Sequence, residues 1–115
     1  MSKIRYSVVA PCWNEEGNLH ELYHRIKEVM DKTGETWELV LINDGSTDRT
    51  AEVMKELHVE DPRAHYIQFA RNFGHQIAVT AGMDYAQGEA VILIDADLQD
   101  PPELILEMIK KWKEG

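Results

Sequence analysis

The sequence predicts an α/β domain built on a mostly parallel sheet with flanking helices. Four short apolar, β-branched runs alternate strictly with four segments of helical periodicity. Such alternation gives parallel strands joined by right-handed crossovers. The 115 residues are the size of one ordinary domain, and no internal repeat or low-complexity linker divides them.

The strands are expected at Tyr6–Ala10, Glu38–Ile42, Tyr66–Phe69 and Ala90–Ile94. The last reads AVILI, apolar at every position, as in a strand covered on both faces. The first helix should open at Asn18, with Glu21 completing a capping box and Leu19, Leu22, Ile26 and Val29 forming its core stripe. A second helix after Ser46–Asp48 carries Val53, Met54 and Leu57. A third, from His75 to Ala86, contains Ala78, Ala81 and Gly82, small enough for close packing on the sheet. The fourth should open on Asp100, followed by Pro101, Pro102 and Glu103, and present Leu104, Ile105, Met108, Ile109 and Trp112. Capping accounts fully for Asp100.

Composition narrows the function. Hydrophobic content of 43% with 29% charged residues excludes a disordered chain. The net charge of −9 argues against a general nucleic-acid binder, which needs a basic face. A nucleotide ligand stays compatible, because a divalent cation held by carboxylates reverses the local sign. One cysteine, Cys12, rules out an internal disulfide and makes a reducing compartment the default. The opening MSKIRYSVVAP lacks the apolar stretch of a signal peptide, and no run approaches the ~20 apolar residues of a membrane span. A soluble, cytoplasmic domain is the expectation.

In parallel sheets ligands bind beyond the carboxyl ends of the strands, where strand order reverses. Polar residues follow all four strands: Pro11-Cys12-Trp13-Asn14-Glu15-Glu16, Asn43-Asp44-Gly45-Ser46, Ala70-Arg71-Asn72-Phe73-Gly74 and Asp95-Ala96-Asp97-Leu98-Gln99-Asp100. Asp95 and Asp97 form an Asp-x-Asp whose carboxylates project to one side, roughly 6.6–7 Å apart at Cα. Carboxylates so placed resist joint ionisation unless a cation sits between them. Oxygen ligands suit Mg2+ or Mn2+, and Gln99 could add a neutral oxygen. Asp44, converging on the same edge, could accept a hydrogen bond from a base N–H or a ribose hydroxyl, while Asp48 or Thr47 caps the following helix. Arg71 could meet a diphosphate or make a surface ion pair. His20 and His24 stand four apart on one helix without a third ligand and read as an exposed face. His75 begins a helix and has no assigned role; Trp13 could stack on a ligand or pack. Cys12 has no evident base partner and is a poor nucleophile.

The stretches SVVAPCWNEEGNL, LVLINDGSTDRT, ARNFGHQIAVTAGMDYAQG and VILIDADLQDPPELI together resemble family 2 glycosyltransferases of the GT-A fold. The resemblance covers nearly the whole chain and is nearest to the polyprenyl-phosphate branch, of dolichyl-phosphate mannose synthase and bactoprenol glucosyltransferase type. It implies that Pro11, Asn14 and Glu15 line the nucleoside pocket and that Asp44 contacts the base. It implies further that Asp95, Asp97 and Gln99 hold a metal bridging the donor diphosphate, with Asp97 the residue assigned to catalysis. Where many members carry two aspartates, this chain has Asn43-Asp44. The family's catalytic domain continues past the fourth helix with the acceptor side, so the chain is expected to be the donor-binding part of a longer enzyme at the cytoplasmic face of a membrane, possible as a homo-oligomer. The implied reaction is inverting transfer from a nucleoside-diphosphate sugar (UDP- or GDP-linked) to an acceptor such as a polyprenyl phosphate. A nucleotidyltransferase of similar build would carry a glycine-rich basic loop after the first strand; here that loop holds two acids. A fragment that binds nucleotide without turnover is the remaining alternative.

Overall fold

A computed structural model of the chain describes residues 3–99 and 101–115. The elements run β1 (Tyr6–Cys12), α1 (Leu19–Asp31), β2 (Trp37–Asn43), α2 (Thr50–Glu60), β3 (Ala64–Gln68), α3 (His75–Tyr85), β4 (Ala90–Leu93), a 3-10 turn (Pro102–Leu104) and α4 (Ile105–Glu114). The four strands form one wholly parallel sheet in the order β3-β2-β1-β4. The chain steps outward from β1 to β2 to β3, then crosses back to the other side of β1. The strand order therefore reverses between β1 and β4.

Side-chain alternation along the strands divides the core into two layers. Val8, Ala10, Leu39, Leu41, Ile92 and Ile94 face α1, α2 and α4 and build the larger cluster. Val9, Val40 and Ile42 face the other way, against Ala78 of α3. Gly82 lets α3 sit close: a Cβ there would lie 2.5 Å from Val9 Cγ1 and 2.6 Å from Ile42 Cδ1. The small residues of the third helix thus do what their pattern predicts. No helix among the described residues is long and apolar enough to cross a membrane.

Several expectations are corrected. β4 is not covered on both faces: Ile92 is buried, but Val91 and Leu93 are 38% and 42% exposed. The reason is topological, because α3 lies over β1 and β2, leaving the α3 side of the edge strand open. Asn18 makes no side-chain cap and no capping box forms: its backbone is already helical, its N–H donates to Glu15 O at 3.0 Å, and its Nδ2 donates to Glu15 Oε2 at 2.8 Å. The core stripe of α1 is as expected, with Tyr23 and Met30 added. The fourth helix is preceded by a 3-10 turn, and the cap assigned to Asp100 lies outside the described residues. Of its expected stripe Ile105 and Ile109 are buried, whereas Leu104, Met108 and Trp112 are exposed. Trp112 packs edge-on against Tyr6 beneath the Arg5 guanidinium.

One acid ties the far edge of the sheet together. Asp61, just after α2, accepts a paired hydrogen bond from Arg63 (Nε 3.0 Å, Nη2 2.8 Å) and a third from the Tyr23 hydroxyl at 2.7 Å. The Arg63 hydrogen bonds hold the buried carboxyl well below the usual range, at about 2. Arg63 also lies over the Trp37 ring, its Cζ 4.1 Å from the centroid.

Candidate functional site

At the β1/β4 reversal a cavity of about 340 Å3 opens on the carboxyl edge of the sheet. The loop after β1 contributes Pro11, Cys12, Trp13 and Glu15; Asp44 comes from the end of β2. Asn72, Gly74 and His75 lead into α3, and Asp95, Ala96 and Asp97 follow β4. Four segments distant in sequence converge here, as expected of a cleft at a topological switch point.

The acidic wall follows from strand alternation. Past β4 the pattern continues, with Ile92, Ile94 and Ala96 buried while Asp95 and Asp97 are exposed on the row that carries Val91 and Leu93. Both residues line the cavity. Asp97 Oδ1 accepts the Gln99 amide N–H at 3.1 Å, closing a tight turn in which Leu98 adopts a left-handed φ of 65°. Gln99 is not part of the cavity lining. Among the described residues, no three of His, Cys, Asp and Glu gather around a common point for a metal ion.

Asp44 is buried and already engaged. Its Oδ1 accepts the Phe73 N–H at 2.8 Å and its Oδ2 the Gly74 N–H at 3.1 Å, so the carboxylate caps the start of α3. Gly45 makes this approach possible, since a Cβ there would lie 2.2 Å from both Arg71 C and Asn72 N. Each Asp44 oxygen keeps acceptor capacity toward the cavity, because a carboxylate oxygen accepts more than one hydrogen bond.

Asn14 does not line the cavity. It takes a left-handed φ of 53°, its N–H donates to Ser46 Oγ at 2.9 Å, and its Oδ1 accepts the Thr47 N–H at 2.8 Å. Together with the Glu15 N–H to Thr50 Oγ1 (2.9 Å) and the Glu16 N–H to Asp48 Oδ2 (3.4 Å), this clasps the loop after β1 to the loop after β2. Asp48 also accepts the Thr50 N–H at 2.9 Å, so of the two capping candidates it is Asp48, not Thr47, that meets the first amide of α2. Arg71 is exposed over the Phe73 ring, 4.6 Å from its centroid, outside the lining. Burial pushes the Cys12 thiol up, with the charge of Glu15 adding to it, and its Sγ sits 3.3 Å from Ala10 O; it is no nucleophile. Asn72 and His75 are cavity residues to which the sequence assigns no role: Asn72 lies in the polar stretch after β3, and His75 follows it at the start of α3.

Fold and site together define a doubly wound α/β domain with a ligand cleft at its switch point, the build of nucleotide-binding proteins. The sequence model of glycosyl transferase family 2 matches residues 7–115, and the chain belongs to that family. A Bacillus subtilis (strain 168) protein described as uncharacterized glycosyltransferase YkcC is 65% identical over 112 residues, 97% of this chain and 35% of its own length. The bactoprenol glucosyl transferase of Shigella phage SfV is 43% identical over 112 residues, 97% of this chain and 36% of its own. Among solved structures, the mannosyltransferase PcManGT from Pyrobaculum calidifontis, in complex with GDP-Man and Mn2+, superposes with a TM-score of 0.76. It shares 26% identity and matches 97% of this chain and 33% of that one. The fold is the GT-A fold of these glycosyltransferases, and this chain spans about a third of the length of such relatives.

Proposed function

We propose that the cleft binds a nucleoside-diphosphate sugar and that the chain is the donor-binding part of a glycosyltransferase. The observation that carries this reading is the placement of Asp95 and Asp97 on one exposed row, lining the same cavity as Pro11, Glu15 and Asp44. The mannosyltransferase similar to this chain binds GDP-Man and Mn2+, which supports both the ligand class and a divalent ion.

The donor set fits Mg2+ or Mn2+. Two exposed carboxylates without a third protein ligand cannot enclose an ion, but such ions retain waters and bind through one or two carboxylates plus substrate phosphate. Asp95 and Asp97 would hold it, and the side-chain oxygen of Gln99 stands close enough in sequence to assist. When bound, the ion supplies charge neutralisation for the departing diphosphate.

This chain's residues would do the rest of the binding. The clasped loops after β1 and β2 would receive the nucleoside between Pro11, Glu15 and the free acceptor capacity of Asp44, with Asn14 holding the two loops in register. Arg71, at the mouth of the α3 loop, would meet phosphate only after leaving the Phe73 ring. In the transfer, an acceptor oxygen forms a bond to the anomeric carbon while the bond from that carbon to the β-phosphate oxygen breaks, its electron pair leaving on the diphosphate. Attack from the opposite face inverts the carbon. Likeness to a bactoprenol glucosyl transferase supports a polyprenyl phosphate as acceptor, and with it a site of action at the cytoplasmic face of a membrane. The acceptor side would come from polypeptide beyond the third of the relatives' length that this chain spans, so the chain alone binds donor without transferring sugar.

Isothermal titration calorimetry with UDP, GDP and their sugars tests the proposal. Binding in Mn2+ that disappears in EDTA is expected, because without a cation the diphosphate meets the repulsion of both carboxylates. Asp97→Asn should weaken binding at least about tenfold, the loss of one charged contact, and leave the melting temperature unchanged. Equal affinity with and without metal would sink the metal assignment.

A further inference from the structure

The described lining of the cleft holds four carboxylates, from Glu15, Asp44, Asp95 and Asp97, and one side chain able to carry positive charge, His75. We propose that His75 is a donor-binding residue whose imidazole hydrogen-bonds the diphosphate of the bound nucleotide. The inference rests on the nucleotide reading of the cleft given above.

Three features of the structure lead to it. His75 occupies the first position of α3, the 11-residue helix entered through Gly74 at a φ of 101°, and it stands on the wall that includes Asn72. Its side chain contributes nothing to the fold: it is exposed, and among the described residues it makes no side-chain hydrogen bond, ion pair or ring contact. Among the described residues it also joins no group of three or more metal-ligating side chains. The imidazole is thus free to meet a ligand rather than a partner within the protein.

The start of α3 offers a phosphate less through its backbone than a bare helix end would. A helix N-terminus ordinarily attracts phosphate through its free amides and its dipole. Here the amides of Phe73 and Gly74 are already taken by the Asp44 carboxylate, whose charge offsets the positive end of the helix. Arg71 is folded over Phe73 and lies outside the lining. A diphosphate entering beside four carboxylates would therefore be met by a cation at Asp95 and Asp97 and by the imidazole of His75. Histidine suits this role because its ring nitrogens donate to phosphate oxygens, most strongly when the ring is charged.

The test is calorimetric titration of the 115-residue chain in Mn2+ with UDP and GDP, each compared with its parent nucleoside. In His75→Ala, affinity for the diphosphate that wild type prefers should fall about tenfold, while affinity for the nucleoside changes less than about twofold. His75→Lys, which restores a charged donor, should recover most of the diphosphate affinity. Both variants should melt with wild type, since the side chain is exposed. If wild type binds neither diphosphate, the nucleotide reading of the cleft fails and this inference with it. If wild type binds and His75→Ala binds as tightly, only the role of His75 is overturned. An equal loss for nucleoside and diphosphate would also overturn it, because the contact would then not be to phosphate.

Discussion

Replacing Gly45 by alanine should be among the most damaging single-methyl additions in this chain, and the structure lets its cost be worked out. Gly45 has a φ of 70°, where a side chain is strained by about 1–2 kcal/mol. Its added Cβ would also lie 2.2 Å from Arg71 C, 2.2 Å from Asn72 N and 2.7 Å from Arg71 O. Carbon contacts prefer about 3.5–4.0 Å, so the backbone of the α3 loop must retreat by about 1 Å or more. Overpacking of that kind adds about 1–3 kcal/mol. The total of about 2–5 kcal/mol corresponds to a fall of roughly 8–20 °C in melting temperature at this chain length. Gly34 supplies the control. Its φ is also 70°, but an added Cβ meets nothing within 4 Å, so Gly34→Ala should show only the strain, roughly 4–8 °C. Thermal unfolding followed by circular dichroism measures both. If Gly45→Ala melts within a degree or two of Gly34→Ala, the close approach of the two loops is not as described. Since the retreating loop carries the Phe73 and Gly74 amides away from Asp44, nucleotide affinity should fall as well.

Two further outcomes are expected. Asp44→Ala leaves the Phe73 and Gly74 amides without their acceptor and should cost about 2–3 kcal/mol in urea unfolding; full wild-type stability combined with lost nucleotide affinity would show that Asp44 serves the ligand alone. Asp61 has a depressed folded value of about 2 against an ordinary value of 3.8, so its contribution is present above pH 4 and is lost as pH falls toward 2. That contribution is about 2 kcal/mol, and the stability gap between wild type and Asp61→Asn should stay constant from pH 7 to pH 5 and narrow below pH 4; a gap that widens on acidification would contradict the assigned ion pair.

Fold class was legible in the sequence because the alternation of apolar runs with helical periods reports chain-local physics. The covering of β4 was not, because AVILI reads the same whether a strand is central or at an edge; only strand order distinguishes the two, and strand order is non-local. Asn14 and Asp44 show a different limit. Each sits in a motif, but their hydrogen bonds go to Thr47 and to Phe73 and Gly74, partners some 30 positions away that no spacing rule reveals. Pro11, Glu15, Asp95 and Asp97 were findable from position alone, since the carboxyl ends of parallel strands must meet at one edge. The capping box at Asn18 was a local pattern that failed because Asn18 already has helical backbone angles and its N–H is taken by the Glu15 carbonyl.

The β3-β2-β1-β4 order also sets a timetable for assembly. β1 pairs with β2 soon after both exist, but its other edge must wait for β4, and the register joins Tyr6 to Ala90, 84 positions later. At translation speeds of about 5–20 residues per second, that interval lasts roughly 4–17 s. Throughout it the loops after β1 and β2 can already be clasped, whereas the wall bearing Asp95 and Asp97 has yet to be synthesised. A nascent chain therefore exposes the open flank of β1, buried in the finished fold at six of its seven positions, until the cleft closes. Ribosome-bound chains stopped before Ala90 should be the species that chaperones hold most avidly.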